Sequence, residues 1–288
     1  MGSADAVIVL ETESGTLPGG YPYASVGDGS RALVVLPGFE DSMFAGVYPP
    51  GSGWALVPYV GRFLESHSVS IVSRPRGLPA DYDEETAADG HARSLEALAK
   101  SAAGVDLVGF SMGGLVGQAL ARRHPDLVDR LVLANSACRI DDDALDDVRT
   151  FERYARRRDW SAIRSKLVAD MFADGRAVAY PPWLLTIGQF LQPRPADPDD
   201  VLRSLEFIRS FDGCDALGDV HQPTLVFGGE RDPYFTPDRT RETAAGIPNA
   251  ELELVPGAKH GAYHERKRTF DERVSAFLER TDRLVLEH

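Results

Sequence analysis

Two hydrophobic patterns alternate along the first half of the chain. Short, nearly continuous apolar runs fall at residues 31–36 (Arg-Ala-Leu-Val-Val-Leu), 69–73, 105–108 and 130–134, each bounded by Gly, Pro or polar residues. Runs of this kind are expected of strands covered on both faces. Between them, residues 54–66, 84–103 and 115–123 place apolar side chains three and four positions apart, which predicts amphipathic helices. Strand and helix in strict alternation mean right-handed crossovers and a mostly parallel sheet. Ahead of it, residues 6–11 and 21–26 read as strands either side of the turn Pro18-Gly19-Gly20, an opening antiparallel pair.

The alternation then stops. Residues 141–219 carry helical patterns (144–158, 160–172 and 199–211) and almost no strand signal. The strand signal resumes at 223–228 (Pro-Thr-Leu-Val-Phe-Gly) and again at 251–255 (Glu-Leu-Glu-Leu-Val), and the chain closes on a helix over 267–280. The pattern predicts an α/β fold with an eight-stranded, mostly parallel sheet and a helical cap inserted after the sixth strand. The expected partition is core at 1–138, cap at 139–221 and core again at 222–285, with 286–288 (Leu-Glu-His) the remnant of an affinity tag.

Composition narrows the function. Apolar residues make up 43% of the 288, ordinary for a folded domain of this size. No apolar run approaches the length of a membrane span, so no membrane insertion is expected. The acidic start at residues 1–13 has no basic segment of a secretory signal, so a cytoplasmic location is expected. A net charge of −13 argues against nucleic acid or an anionic membrane as partner. Arginine far exceeds lysine, which fits either a salt-adapted proteome or a GC-rich genome. Cys138 and Cys214 lack metal-ligand spacing, and a reduced pair is the default expectation, although both bracket the insertion. No cofactor is expected, and association into a homo-oligomer stays open.

The candidate chemistry begins at Gly109-Phe-Ser111-Met-Gly113, between a predicted strand and a predicted helix. A strand, a sharp turn centred on serine and a helix form a nucleophile elbow, with glycines where side chains would strike the strand or helix. After the seventh strand comes Gly228-Gly-Glu-Arg-Asp232, and after the eighth Pro256-Gly-Ala-Lys-His260. Serine, aspartate and histidine, each following a strand, are in the order of a nucleophile, an orienting acid and a general base on such a sheet. His264, four residues past His260, is the rival base. The backbone N–H of Met112 and that of Phe39, in Leu36-Pro37-Gly38-Phe39, are candidates for an oxyanion hole.

These motifs resemble the α/β-hydrolase superfamily, in its capped, serine-nucleophile branch, over essentially the full length. The resemblance implies a serine hydrolase with Ser111, His260 and Asp232 as its catalytic residues, acting on a carboxylic ester or related acyl compound. A carbon–carbon bond hydrolase, lactonase, acyltransferase, aminopeptidase or cofactor-free perhydrolase would use the same residues, and a non-catalytic binding protein is the alternative outside enzymes. Serine at 111 disfavours epoxide hydrolases and haloalkane dehalogenases, whose nucleophile is aspartate. Three positions depart from the family pattern. Pro37 replaces a usual histidine, Lys259 a usual glycine, and Arg74-Pro-Arg-Gly77 the usual Asp-x-x-Gly. The insertion's aromatic residues, Trp183 and Phe190 above all, are expected to line a pocket for a small apolar ester-like substrate, with Tyr234 of the core.

Overall fold

The structure, a computed structural model, describes residues 10–100, 104–179 and 193–280. Its strands are β1 Thr12–Leu17, β2 Tyr21–Val26, β3 Arg31–Leu36, β4 His67–Val72, β5 Val105–Phe110, β6 Val128–Ala134, β7 Thr224–Gly229 and β8 Ala250–Val255. They form one sheet ordered β1-β2-β4-β3-β5-β6-β7-β8. β2 runs antiparallel to both β1 and β4, and the remaining neighbours are parallel. The eight-stranded, mostly parallel α/β sheet is the one the sequence pattern predicts.

The runs that read as apolar are central because helices cover both faces. Consecutive residues alternate between those faces, so Leu33 packs with Val69, Val108 and Phe270 while Val34 packs with Leu107 and Leu115. The helices α2 Glu84–Leu98 and α3 Met112–Arg123 contribute to the second cluster. α9 Lys267–Leu278 contributes to the first, together with the segment formed by the 3-10 turns Ser52–Leu56 and Gly61–Phe63 around the short α1 Val57–Val60.

Inside β5 one position breaks the apolar run. Asp106 is 2% exposed and meets the Arg31 guanidinium at 2.6 Å and His67 Nε2 at 2.9 Å. A buried carboxylate without such partners would be strongly destabilising. These groups lie at the amino ends of β3, β4 and β5 and tie that edge of the sheet together.

Between β6 and β7 stand α4 Leu145–Arg156, α5 Trp160–Met171 and α6 Pro198–Ser210. They share the core cluster of the sheet through Phe151, Ile163 and Leu205. Asp200, 1% exposed, accepts hydrogen bonds from the backbone N–H groups of Gly77 (2.9 Å) and Leu78 (2.7 Å), fastening α6 to the loop after β4.

Four expectations need correction. The first strand is Thr12–Leu17, directly against the turn, whereas the expected strand at 6–11 falls largely outside the described residues. Leu17 pairs with Tyr21, so the tight turn at 18–20, with Gly19 and Gly20 at positive φ, fixes where the strand must end. The single helix expected at 54–66 is broken, since Pro58 lacks an N–H and Gly61 is a poor helix former. A helix not foreseen, α7 Pro237–Gly246, joins β7 to β8. Its apolar stripe is missing, but its start is marked by the Thr236 N-cap and Pro237. Finally, Cys138 and Cys214 are not a reduced pair. They are disulfide-bonded, with Cα atoms 4.8 Å apart, because Arg139 and Asp212 pair in an antiparallel bridge beside them and Gly213 N–H donates to Cys138 O at 2.9 Å. In loop-entropy terms, closing a 76-residue loop stabilises the fold by about 4 kcal/mol.

Candidate active site

The serine is held by backbone geometry. β5 delivers Phe110 to the sheet edge and α3 begins at Met112, leaving Ser111 to make the turn at φ +50°. A non-glycine residue there is strained, and the surroundings enforce it. Ser111 N–H donates to Ala134 O at 3.0 Å, and its carbonyl accepts from Gly114 N–H at 2.8 Å. The flanking glycines are needed because the backbones touch. A Cβ on Gly109 would lie 2.6 Å from Gly114 Cα, and one on Gly113 would lie 2.2 Å from Leu36 O. The second figure also shows that the loop after β3 lies against the first turn of α3.

Ser111 Oγ is 3.0 Å from His260 Nε2, and His260 Nδ1 is 2.8 Å from Asp232 Oδ2. His260 is 7% exposed and Asp232 3%. The carboxylate is fully engaged: Oδ1 accepts from the N–H groups of Tyr234 (2.9 Å) and Phe235 (3.1 Å), and Oδ2 also accepts from Asn135 Nδ2 (3.1 Å). Asn135 follows β6 at φ +49° and has no motif to announce it. Burial alone would lower the pKa of His260, but the charge and hydrogen bond of Asp232, with the charges of Glu40 and Asp170, together outweigh it, and the net shift is upward. An imidazole linked to serine on one side and to a buried carboxylate on the other can take a proton from the hydroxyl and remain stabilised once charged.

Two N–H groups start helical segments beside this serine. Met112 opens α3 and Phe39 opens the 3-10 helix Phe39–Met43, positions whose N–H groups have no partner within their helix. The loop carrying Phe39 is fixed by a side chain that the motif reading flagged only as a departure. Arg74, 2% exposed, donates from Nη1 to Pro37 O (3.1 Å) and from Nη2 to Gly38 O (2.9 Å). Asp41 Oδ2 in turn accepts from Arg74 N–H at 3.1 Å, and Asp41 Oδ1 pairs with Arg76 at 3.1 Å.

Comparison with known proteins bears on the fold and the family. Residues 71–267 match the family model described as alpha/beta hydrolase fold. The chain belongs to this family. A relative from Agrobacterium fabrum, provisionally named carbamate hydrolase RutD, is 28% identical over 184 residues, 59% of this chain. The chain spans 66% of that relative, just under two thirds of its length. The pimeloyl-[acyl-carrier protein] methyl ester esterase of Chromobacterium violaceum is 25% identical over 190 residues, 60% of this chain and 69% of its own. Among solved structures, the enol-lactonase from Burkholderia xenovorans LB400 superposes with a TM-score of 0.73 at 22% identity, over 93% of this chain and 100% of its own.

The other expected site residues are placed as follows. Tyr234 is 6% exposed, sets its ring edge against His260 with centroids 4.8 Å apart, and its hydroxyl bonds the Asp170 carboxylate of α5. Trp183 and Phe190 lie outside the described residues. His264 sits in the short helix α8 Ala262–Glu265 among the rings of Tyr59, Tyr263 and Phe172 rather than on Ser111. Its pKa is lowered by burial and by the charges of Arg176 and Lys267.

His67 has neighbours that sequence distance hid. Its Nδ1 lies 2.8 Å from Ser66 Oγ and its Nε2 2.9 Å from Asp106. This second serine–histidine–aspartate set is at the opposite edge of the sheet, on a serine with ordinary backbone geometry, and Asp106 is committed to Arg31. An apolar cavity of about 320 Å3 lies between the sheet and α1 and α9, walled by Val35, Ile71, Val108 and Phe110. Glu40 opens onto it, and loss of solvation raises the pKa of its carboxyl.

Proposed function

We propose that this hydrolase cleaves a carboxylic ester, or a closely related acyl compound, through an acyl-serine intermediate. The observation that carries the reading is the single imidazole of His260, 3.0 Å from Ser111 Oγ and 2.8 Å from Asp232. Ser111 Oγ attacks the substrate carbonyl carbon as its proton passes to His260 Nε2. The negative charge that develops on the carbonyl oxygen is met by the N–H groups of Met112 and Phe39. His260 then returns the proton to the departing alkoxide, leaving the acyl group on Ser111. A water molecule repeats the sequence: His260 takes its proton, the hydroxide adds to the acyl carbon, and the carboxylic acid leaves as Ser111 recovers its proton. Asp232 stabilises the charged imidazole at both stages.

A carbamate is the second reading, favoured by the name of the Agrobacterium relative. It would be attacked at its carbonyl carbon by the same groups, with an amine or carbamic acid among the products.

A fluorophosphonate probe tests the class of chemistry. Wild-type protein should gain one adduct on the peptide containing Ser111, and Ser111→Ala should gain none. Ester turnover should fall on the order of 10⁴-fold or more in Ser111→Ala and in His260→Ala, with little added loss in the double variant. Labelling that persists in Ser111→Ala would overturn the proposal. A panel of esters and carbamates on the wild type separates the two substrate readings.

A further inference from the structure

We propose that Arg74 is a positioning residue for the oxyanion hole, acting through the carbonyls of Pro37 and Gly38 to aim the N–H of Phe39. The inference rests on the hydrolase reading above, and it concerns a residue at which this chain departs from its family's usual aspartate.

A trans peptide unit points its C=O and its N–H in opposite directions, and none of the described peptide bonds is cis. The carbonyl of Gly38 and the N–H of Phe39 belong to one such unit. Nη2 of Arg74 holds that carbonyl at 2.9 Å, and Asp41 N–H reaches the same oxygen at 3.3 Å. With the oxygen tied down from one side, the Phe39 N–H is turned to the other. Nη1 holds the preceding carbonyl, that of Pro37, so two successive peptide planes are fixed by one rigid guanidinium. The same segment lies against Gly113, the second residue of α3. A fixed loop next to the elbow is what an oxyanion donor needs, since its stabilising power depends on not having to reorient during the reaction.

The arginine is itself fixed. Its side chain is 2% exposed and its backbone N–H donates to Asp41 Oδ2, which also lies 3.5 Å from its Nη2. Arg76 pairs with the other oxygen of Asp41, so that carboxylate is held between two guanidinium groups. Charge-assisted bonds to a carbonyl polarise its peptide unit. Arg74 therefore makes the Phe39 N–H a stronger donor toward an oxyanion as well as a better aimed one. The same segment has one further tie, the Glu40 carboxylate accepting from Gly38 N–H at 3.3 Å.

The test compares Arg74→Met, Arg74→Lys and Arg76→Met in the full-length chain, using a chromogenic ester and a trifluoromethyl ketone that binds as an oxyanion adduct. Losing an oxyanion donor outright costs about 10²–10³ in kcat, and losing only its orientation should cost less. Arg74→Met should therefore lower kcat roughly 10- to 100-fold with KM changed little, and should weaken the ketone by the same factor. Arg74→Lys, with one donor head, should recover part of both. Arg76→Met, which leaves both loop carbonyls bonded, should stay within about two-fold. Thermal melts are run beside each. If Arg74→Met fails to fold, Arg74→Lys and Asp41→Asn carry the comparison, through a parallel loss in kcat and ketone affinity at a folded, wild-type melting profile. Unchanged kcat and ketone affinity in the folded Arg74 variants would overturn the proposal, as would a loss confined to KM. Fluorophosphonate labelling keeps it distinct from the reading beneath it: a wild type that labels at Ser111 and turns over ester upholds that reading whatever the Arg74 variants do, and one that does neither overturns both.

Discussion

At the scale of single residues, the environment of His260 decides how activity depends on pH. The reaction needs its imidazole neutral so that Nε2 can accept the proton of Ser111. Burial lowers its pKa, but Asp232, helped by the charges of Glu40 and Asp170, raises it by more, so the net shift is upward. The acid limb of kcat/KM should therefore have its midpoint above 6.5, the ordinary histidine value. In Asp232→Asn the supporting charge is gone while burial remains, so the midpoint should move to lower pH and the rate fall on the order of 10⁴-fold. His264→Ala should keep both midpoint and rate close to wild type, because its ring sits among Tyr59, Tyr263 and Phe172. A pH–rate profile of the three proteins checks this, and an acid limb that moves in His264→Ala would give that residue the role assigned to His260.

At the scale of elements, polar links tie the helices between β6 and β7 to the rest of the fold. Asp200 at the start of α6 is the clearest, since its two oxygens satisfy the N–H groups of Gly77 and Leu78. Removing the carboxylate leaves the buried Leu78 donor unpaired, at about 1–3 kcal/mol, and the part-buried Gly77 donor at a smaller cost. Asp200→Ala should thus destabilise the fold by roughly 2–5 kcal/mol, lowering Tm by several degrees. Asp199→Ala, on the exposed side of the same turn, should stay within about 0.5 kcal/mol. Denaturant titration of the pair distinguishes a specific tether from a general effect of helix N-terminal charge. The Cys138–Cys214 bond closes the same insertion covalently at its base.

At the scale of the whole molecule, stability toward acid should be sensitive to His91. This side chain is 1% exposed in α2, donates from Nδ1 to Ala87 O at 2.7 Å and packs against Tyr21. Burial lowers its pKa to about 4. Between that value and the unfolded one near 6.5, the unfolded chain binds the proton that the folded chain refuses, so stability falls as pH falls. From pH 6.5 to 5 the loss should be about 2 kcal/mol. His260 carries the opposite sign, contributing stability that is present below about 6.5 and lost as pH rises through its raised pKa, so the two windows do not overlap. His91→Gln should flatten the slope between pH 6.5 and 5 in chemical denaturation, and an unchanged slope would mean that other groups govern it.

What the sequence determined by itself is the plan of the sheet and the order of its motifs. Apolar runs and helical spacings are local signals, and a strand covered on both faces is largely apolar, so β3 to β8 and the helices α2 to α6 and α9 were legible from periodicity, whereas α7, which has no apolar stripe, was not. The elbow was legible for a similar reason, since its glycines are dictated by contact between segments adjacent in sequence. What tertiary structure decided are the relations between distant residues. Asn135 on Asp232, Arg74 on the Pro37–Gly38 carbonyls and Asp106 between Arg31 and His67 join separate strands and loops, and none leaves a periodic trace. The reduced state expected of Cys138 and Cys214 gave way to a bond for the same reason: their separation of 76 residues in sequence says little about distance once the insertion returns to its point of departure. Patterns along a chain record which way each side chain faces. Which polar groups meet across the fold depends on how the layers close, because a buried charge or carbonyl is tolerated only where a partner arrives from elsewhere.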